Sequence, residues 1–178
     1  MPLDIAVGIL CSLVLAHAFG LRASLSLILF GVGSALLPDI DVLPVFRRVT
    51  YDHRSSFHWP LVYVPVAAML LALDPLYGEL FLLAICAHFI HDTVGIGWGV
   101  AWFAPFSLRK FLFPERDRRR EYGWLMTWLP EEEGAMAAKY HDPHWLRTWY
   151  ARPTLLAFIE YGALVCSIIA LAAYYVHL

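Results

Sequence analysis

The sequence predicts an all-α integral membrane protein, a bundle of about five apolar helices with an interfacial helical segment before the last one. Three observations carry this prediction. Of 178 residues, 60% are hydrophobic and 16% charged, and the mean hydropathy of +0.61 is far above that of ordinary soluble domains. Apolar runs recur near residues 5–21, 23–37, 59–73, 80–96 and 154–176. Basic residues crowd into some of the connections and avoid others.

The first run has the length of a signal peptide, but Asp4 stands where a basic segment belongs and no small-residue cleavage pattern follows, so it reads as a retained helix. The second run ends at "LLPDIDVLP", where Pro38 disfavours helical geometry at Leu37 and stops the helix just before Asp39 and Asp41. The third run follows "HRSSFHW", in which Ser55 or Ser56 can cap the helix, leaving His53 in the loop and His58 in the first turn. The fourth carries "CAHFIHDTVG", and the fifth leads to the C-terminus. Most runs are shorter than the roughly 20 residues that span a bilayer core, so local thinning, flanking aromatics or re-entrant helices are required.

Between the fourth and fifth runs, residues 107–152 combine "RDRRREYGW" with "EEE" and pair Trp124 with Trp128 and Trp145 with Trp149 at i,i+4 spacing. A helical hairpin lying on anionic headgroups suits this pattern, and a small soluble cap with a tryptophan core is the alternative. The chain then divides into a membrane core (1–106), this interfacial segment (107–152) and a C-terminal transmembrane helix (153–178).

Of thirteen Lys and Arg residues, Arg22 lies in the first connection, Arg47, Arg48 and Arg54 in the second, none in the third, and nine between Arg109 and Arg152. The positive-inside rule therefore places the second and fourth connections and the N-terminus in the cytoplasm. The summed charge of residues 107–152 is too small to mark a nucleic-acid surface. Cys11, Cys86 and Cys166 lie in apolar runs without CxxC spacing, which points away from a disulfide framework or thiolate zinc site.

In a helix, His88, His91 and Asp92 project within roughly a 100° sector. Ionisable groups at membrane depth are costly and persist when they pair, line a wet cavity or bind an ion. With a cytoplasmic N-terminus, the second helix exits, the third enters and the fourth exits on one side. Asp39, Asp41, His53, His58, His88, His91 and Asp92 can then converge. Imidazoles and carboxylates without thiolates suit a divalent metal, Zn²⁺ first, with Mn²⁺ or Fe as alternatives and room for two or more ions. Asp4 is at the near end of the first helix and is the better placed ligand there, whereas His17 is at the far end. "HDPH", His141 to His144, reads as a turn around Pro143 or as further ligands.

These motifs resemble the YdjM-like family of inner-membrane proteins, described as metal-dependent hydrolases. The family's Leu-Pro-Asp-x-Asp element matches Leu37, Pro38, Asp39 and Asp41, its His-Arg-Gly-x-Thr-His-Ser element matches His53, Arg54 and His58, and its His-x-x-x-Asp element matches His88 and Asp92. "WFAPFS" at 102–107 stands for a Trp-Pro-Phe element. Ser55, Phe57 and Trp59 depart from the pattern, Asp4 stands where many members have a His, and His91 is additional to it.

The family is also distantly similar to zinc-dependent phospholipase C and the P1-type nucleases, which implies phosphoester hydrolysis. On that resemblance Asp39, His58, His88 and Asp92 are primary ligands, and His53 is a ligand or a support of one. Asp41 is a candidate proton acceptor, and Arg54 pairs with a phosphate oxygen. The implied substrate is a membrane lipid or lipid-like phosphoester. A non-catalytic, metal-stabilised scaffold that docks a protein partner or anionic lipid is the alternative, and an ion pathway is disfavoured because the polar groups sit at one face.

Overall fold

The computed structural model describes residues 2–42, 56–140, 142 and 144–176. Each of the five apolar runs forms a helix: α1 (Pro2–Ala18), α2 (Leu25–Leu36), α3 (Val64–Leu73), α4 (Pro75–Asp92) and, last in the chain, a helix over Leu155–Val176. The chain folds as two compact units, one of residues 1–36, 70–84 and 142–178, the other of residues 37–69 and 85–141.

In the first unit, local chemistry sets the helix ends. Gly20, at φ +66°, closes α1 with the Leu21 N–H donating to Ala16 O at 2.8 Å and the Gly20 N–H to His17 O at 3.0 Å. This is the paired-bond C-terminal motif that favours glycine. Ser24 Oγ accepts the Leu27 N–H and starts α2. Asp74 Oδ1 accepts the Leu76 N–H at 3.0 Å ahead of Pro75, so α4 begins five residues before the apolar run does.

The α1–α2 hairpin packs through small residues. A Cβ on Gly8 would lie 2.6 Å from Val32 Cα, and Ser12 Oγ bridges Gly8 O at 2.7 Å and Leu27 O at 3.2 Å. Close backbone approach of this kind is how helices associate where apolar burial supplies little drive. Ile9, Leu13, Leu27 and Leu80 form the core. The Tyr174 hydroxyl accepts the Ala23 N–H and the Tyr175 hydroxyl donates to Ala23 O, tying the last helix to this hairpin.

The second unit departs from the all-α expectation. It contains a three-stranded sheet of β1 (Val94–Gly95), β2 (Lys110–Pro114) and β3 (Met126–Trp128), with β1 parallel and β3 antiparallel to β2. Two helices accompany it, α5 (Arg116–Tyr122) and α6 (Glu133–Tyr140), and the Leu155–Val176 helix is therefore α7. "KFLFP" and "MTW" each turn alternate residues inward, burying Leu112, Met126 and Trp128 against Met136 and Tyr140.

The expected helical hairpin over 107–152 is thus corrected. Trp128 is buried in β3, whereas Trp124 is exposed beneath the Arg119 guanidinium, 4.1 Å from its ring, so the two indoles do not share a helix face. Trp145 immediately precedes, and Trp149 lies within, a π-helical turn over Leu146–Tyr150. Strand pairing to β2 outweighs the i,i+4 spacing because aromatic and branched residues fit a pleated, half-buried surface.

Among the described residues, α7 alone is long and apolar enough to cross a membrane, and only 17% of its most apolar window is buried within the protein. Its 22 residues reach about 33 Å, the thickness of a bilayer core.

Candidate metal centre

The second unit assembles the site from two tight turns and one helix end. A 3₁₀ turn over Leu37–Val42 follows α2 where Pro38 stops it, as its sequence predicts, and carries Asp39. A second 3₁₀ turn over Ser56–His58 carries His58, ahead of Trp59 and the Pro60–Tyr63 turn that leads into α3. The last turn of α4 supplies His88 and Asp92 at i,i+4. His58 is therefore placed by a turn before the third helix and not by that helix's first turn.

The four side chains meet. His58 Nε2 lies 3.2 Å from Asp39 Oδ1 and 3.6 Å from Asp92 Oδ2, and His88 Nε2 lies 3.9 Å and 3.7 Å from the same two oxygens. One ligand atom from each residue falls within 4.8 Å of the other three. Ligand bonds of about 2.0–2.1 Å to a tetrahedral ion place neighbouring donors about 3.3–3.4 Å apart. The four imidazole-to-carboxylate separations are near that edge length, while the full set, within 4.8 Å, is wider, so the side chains would draw together around an ion.

Burial and charge favour a cation here. Both imidazoles are about 1% exposed, while Asp39 and Asp92 are 15% and 13% exposed, which leaves the carboxylates at the open side. Two carboxylates within 4.8 Å of each other concentrate acceptor oxygens that a cation would bridge. The Phe89 ring stands edge-on to His88 at 5.6 Å and to His58 at 6.5 Å, which fixes the imidazoles and keeps their back face dry. Thr93, after Asp92, donates from Oγ1 to Phe89 O at 2.6 Å and accepts the Trp102 indole N–H at 3.0 Å, locking the helix end.

The remaining expected residues divide as follows. Asp41 lies two residues beyond Asp39 in the same 3₁₀ turn. His91 is half-buried on α4 and is not among the four gathered side chains. Asp4 is buried on α1 in the first unit. His53, Arg54 and His141 lie outside the described residues. His17 is exposed, and His144 is exposed with its N–H donating to Asp142 Oδ1; Pro143, the centre of the expected "HDPH" turn, lies outside the described residues.

Two features escaped the sequence reading. Phe89 looked like one more apolar residue, and only its position between the two histidines and Trp102 distinguishes it. Glu160, fully buried on α7 and accepting the Tyr150 hydroxyl at 2.5 Å, was legible as the one acidic residue of the last apolar run.

The chain matches a family described as YdjM inner membrane protein over residues 4–177. No curated protein and no solved structure matches the chain.

Proposed function

The chain belongs to the YdjM inner membrane protein family, and from that premise we propose that it is a membrane-bound, metal-dependent hydrolase of a lipid or lipid-linked phosphoester. The observation that carries the reading is the group of Asp39, His58, His88 and Asp92, whose four imidazole-to-carboxylate distances are 3.2–3.9 Å and whose ligand atoms all lie within 4.8 Å of one another, with the carboxylates the more exposed.

The donor set suits Zn²⁺ and accommodates Mn²⁺ or Fe. A divalent ion bound there lowers the pKa of water towards neutrality and offsets charge on phosphoryl oxygens. The chain's residues do the rest. His58 and His88 present neutral imidazoles from the dry side, and Asp39 and Asp92 bring the compensating negative charge. Asp41 is the candidate to accept a proton on a carboxylate oxygen. Arg54 offers a forked guanidinium to a phosphate oxygen. His53 and His91 are further ligands or supports of ligands. In the reaction a water oxygen bonds to phosphorus, the P–O bond to the alcohol breaks, and the alcohol leaves with a proton.

The uneven distribution of Lys and Arg supports a cytoplasmic N-terminus and a site facing the cytoplasmic headgroup layer. The helical, lipid-embedded character of the five apolar runs belongs to the same proposal. A second reading has one observation in its favour: four protein donors fill a tetrahedral shell, as in structural zinc sites. The protein would then be a metal-stabilised scaffold for a protein partner or anionic lipid.

Purified protein in detergent, with its metals counted and phosphate or alcohol release measured over a panel of phospholipids and lipid-linked phosphates, separates the two. Metal-dependent release that Asp92→Asn abolishes supports the hydrolase. Bound metal with no turnover on any lipid moves the assignment to the scaffold, and protein that binds no divalent ion refutes both.

A further inference from the structure

We propose, resting on the hydrolase reading, that an apolar groove beside the metal centre holds one hydrocarbon chain of the phosphoester substrate. In the second unit Leu61, Trp102, Phe103, Phe111, Phe113 and Leu125, with Thr93, line a cavity of about 420 Å³. The side-chain polar groups of that lining, the Thr93 hydroxyl and the Trp102 indole N–H, satisfy each other, and the hydroxyl also donates to Phe89 O. The groove therefore presents hydrocarbon surface and suits an apolar occupant. Its volume is at the small end of ligand sites, which fits one chain.

The groove and the metal centre share a wall. Thr93 directly follows Asp92, Leu61 is three residues beyond His58, and the Phe89 ring touches His58 and His88 on one side and Trp102, at 6.1 Å, on the other. Phe103, Phe113 and Leu125 are roughly half exposed at the mouth, which gives a chain a way in.

The test uses the full chain, metal-loaded, in phosphatidylcholine nanodiscs. Hydrolysis of 4-nitrophenyl ethyl, butyl, hexyl and octyl phosphates is measured for the parent and for Leu125→Trp, which narrows the mouth, with each protein normalised to its own ethyl rate. Partition into the disc is the same for both proteins, so their ratio reads the groove. The ratio of normalised kcat/KM should rise with chain length by up to about fourfold per methylene, the equivalent of roughly 0.8 kcal/mol per buried CH₂. A flat ratio with the ethyl ester turned over overturns the groove and leaves the hydrolase standing.

A second measurement depends on neither turnover nor the variant. Decyl phosphate with a terminal diazirine is photolysed on the parent protein beside the same diazirine alkane lacking phosphate. Phosphate-dependent labelling of Phe103, Phe113 or Leu125 supports the chain site, and does so even if no ester is hydrolysed and the hydrolase reading falls. Equal labelling by both probes, or labelling confined to α7, means bilayer lipid only and overturns the proposal.

Discussion

Replacing Asp92 by Asn tests the metal centre most directly. Asn keeps the size of the side chain but removes one of two negative charges, and its amide is a poor donor to a divalent ion. Asp92 Oδ2 faces both imidazoles, at 3.6 Å and 3.7 Å, so it stands at two edges of the donor set. Substituting groups that merely support ligands costs 10–100-fold in metal affinity, and removal of a direct ligand should cost at least about 100-fold. With metal at about 100 times the parent's Kd, binding stabilises the parent by about 2.7 kcal/mol and the variant, near its own Kd, by about 0.4 kcal/mol. For a chain of this length each kcal/mol moves Tm by roughly 2–4 °C, so metal should raise the parent's Tm by about 5–11 °C and the variant's by about 1–2 °C. Thermal unfolding in detergent with and without Zn²⁺, with metal content by mass spectrometry, reads both quantities. His144→Gln, at an exposed turn, should behave like the parent. Equal metal content and equal Tm shifts for parent and Asp92→Asn would refute a centre built on Asp92.

Other substitutions test the fold around it. Gly8→Val places a Cβ against the Val32 backbone and should lower stability by about 1–3 kcal/mol or prevent accumulation, measured by folded yield and Tm. Trp128→Ala removes a buried side chain of the sheet core and should cost roughly 3–5 kcal/mol, whereas Trp124→Ala loses chiefly its Arg119 contact, about 0.5–1 kcal/mol; equal costs would restore the helical reading of this segment.

The Tyr140 phenol, pushed up to about 12 by desolvation first and then by its contacts with Tyr122 and Glu121, should titrate lower in Glu121→Gln. Ultraviolet difference titration against Tyr140→Phe measures this. Glu121 is itself held below the usual carboxylate range by hydrogen bonds from Lys139 and Tyr140, so its contribution is present above that range. It is lost as pH falls through the lowered value, and the α5–α6 contact should loosen at acid pH, read as a change in the Tyr140 environment.

Much of the local structure was legible because its causes are local. Pro38 ends α2, Gly20 closes α1, and a period of 3.6 puts His88 and Asp92 on one face of α4 whatever surrounds them. The five apolar runs became helices because unbroken apolar sequence of that length has few other ways to satisfy its backbone.

What the tertiary structure decided is which distant groups meet. Asp39 and His58 come from 3₁₀ turns nineteen residues apart, where no periodicity sets the direction of a side chain, so only the folded unit selects them from the imidazoles and carboxylates nearby. The sheet was equally out of reach: a strand of three residues has too few positions to show its period, and Trp128 reads as helix or strand until Lys110 and Leu112 pair beside it. Composition and local pattern fix an apolar, mostly helical chain with imidazoles and carboxylates at its helix ends. Tertiary pairing determined the geometry of that chemistry, because ligand distances depend on contacts between segments that no local preference encodes.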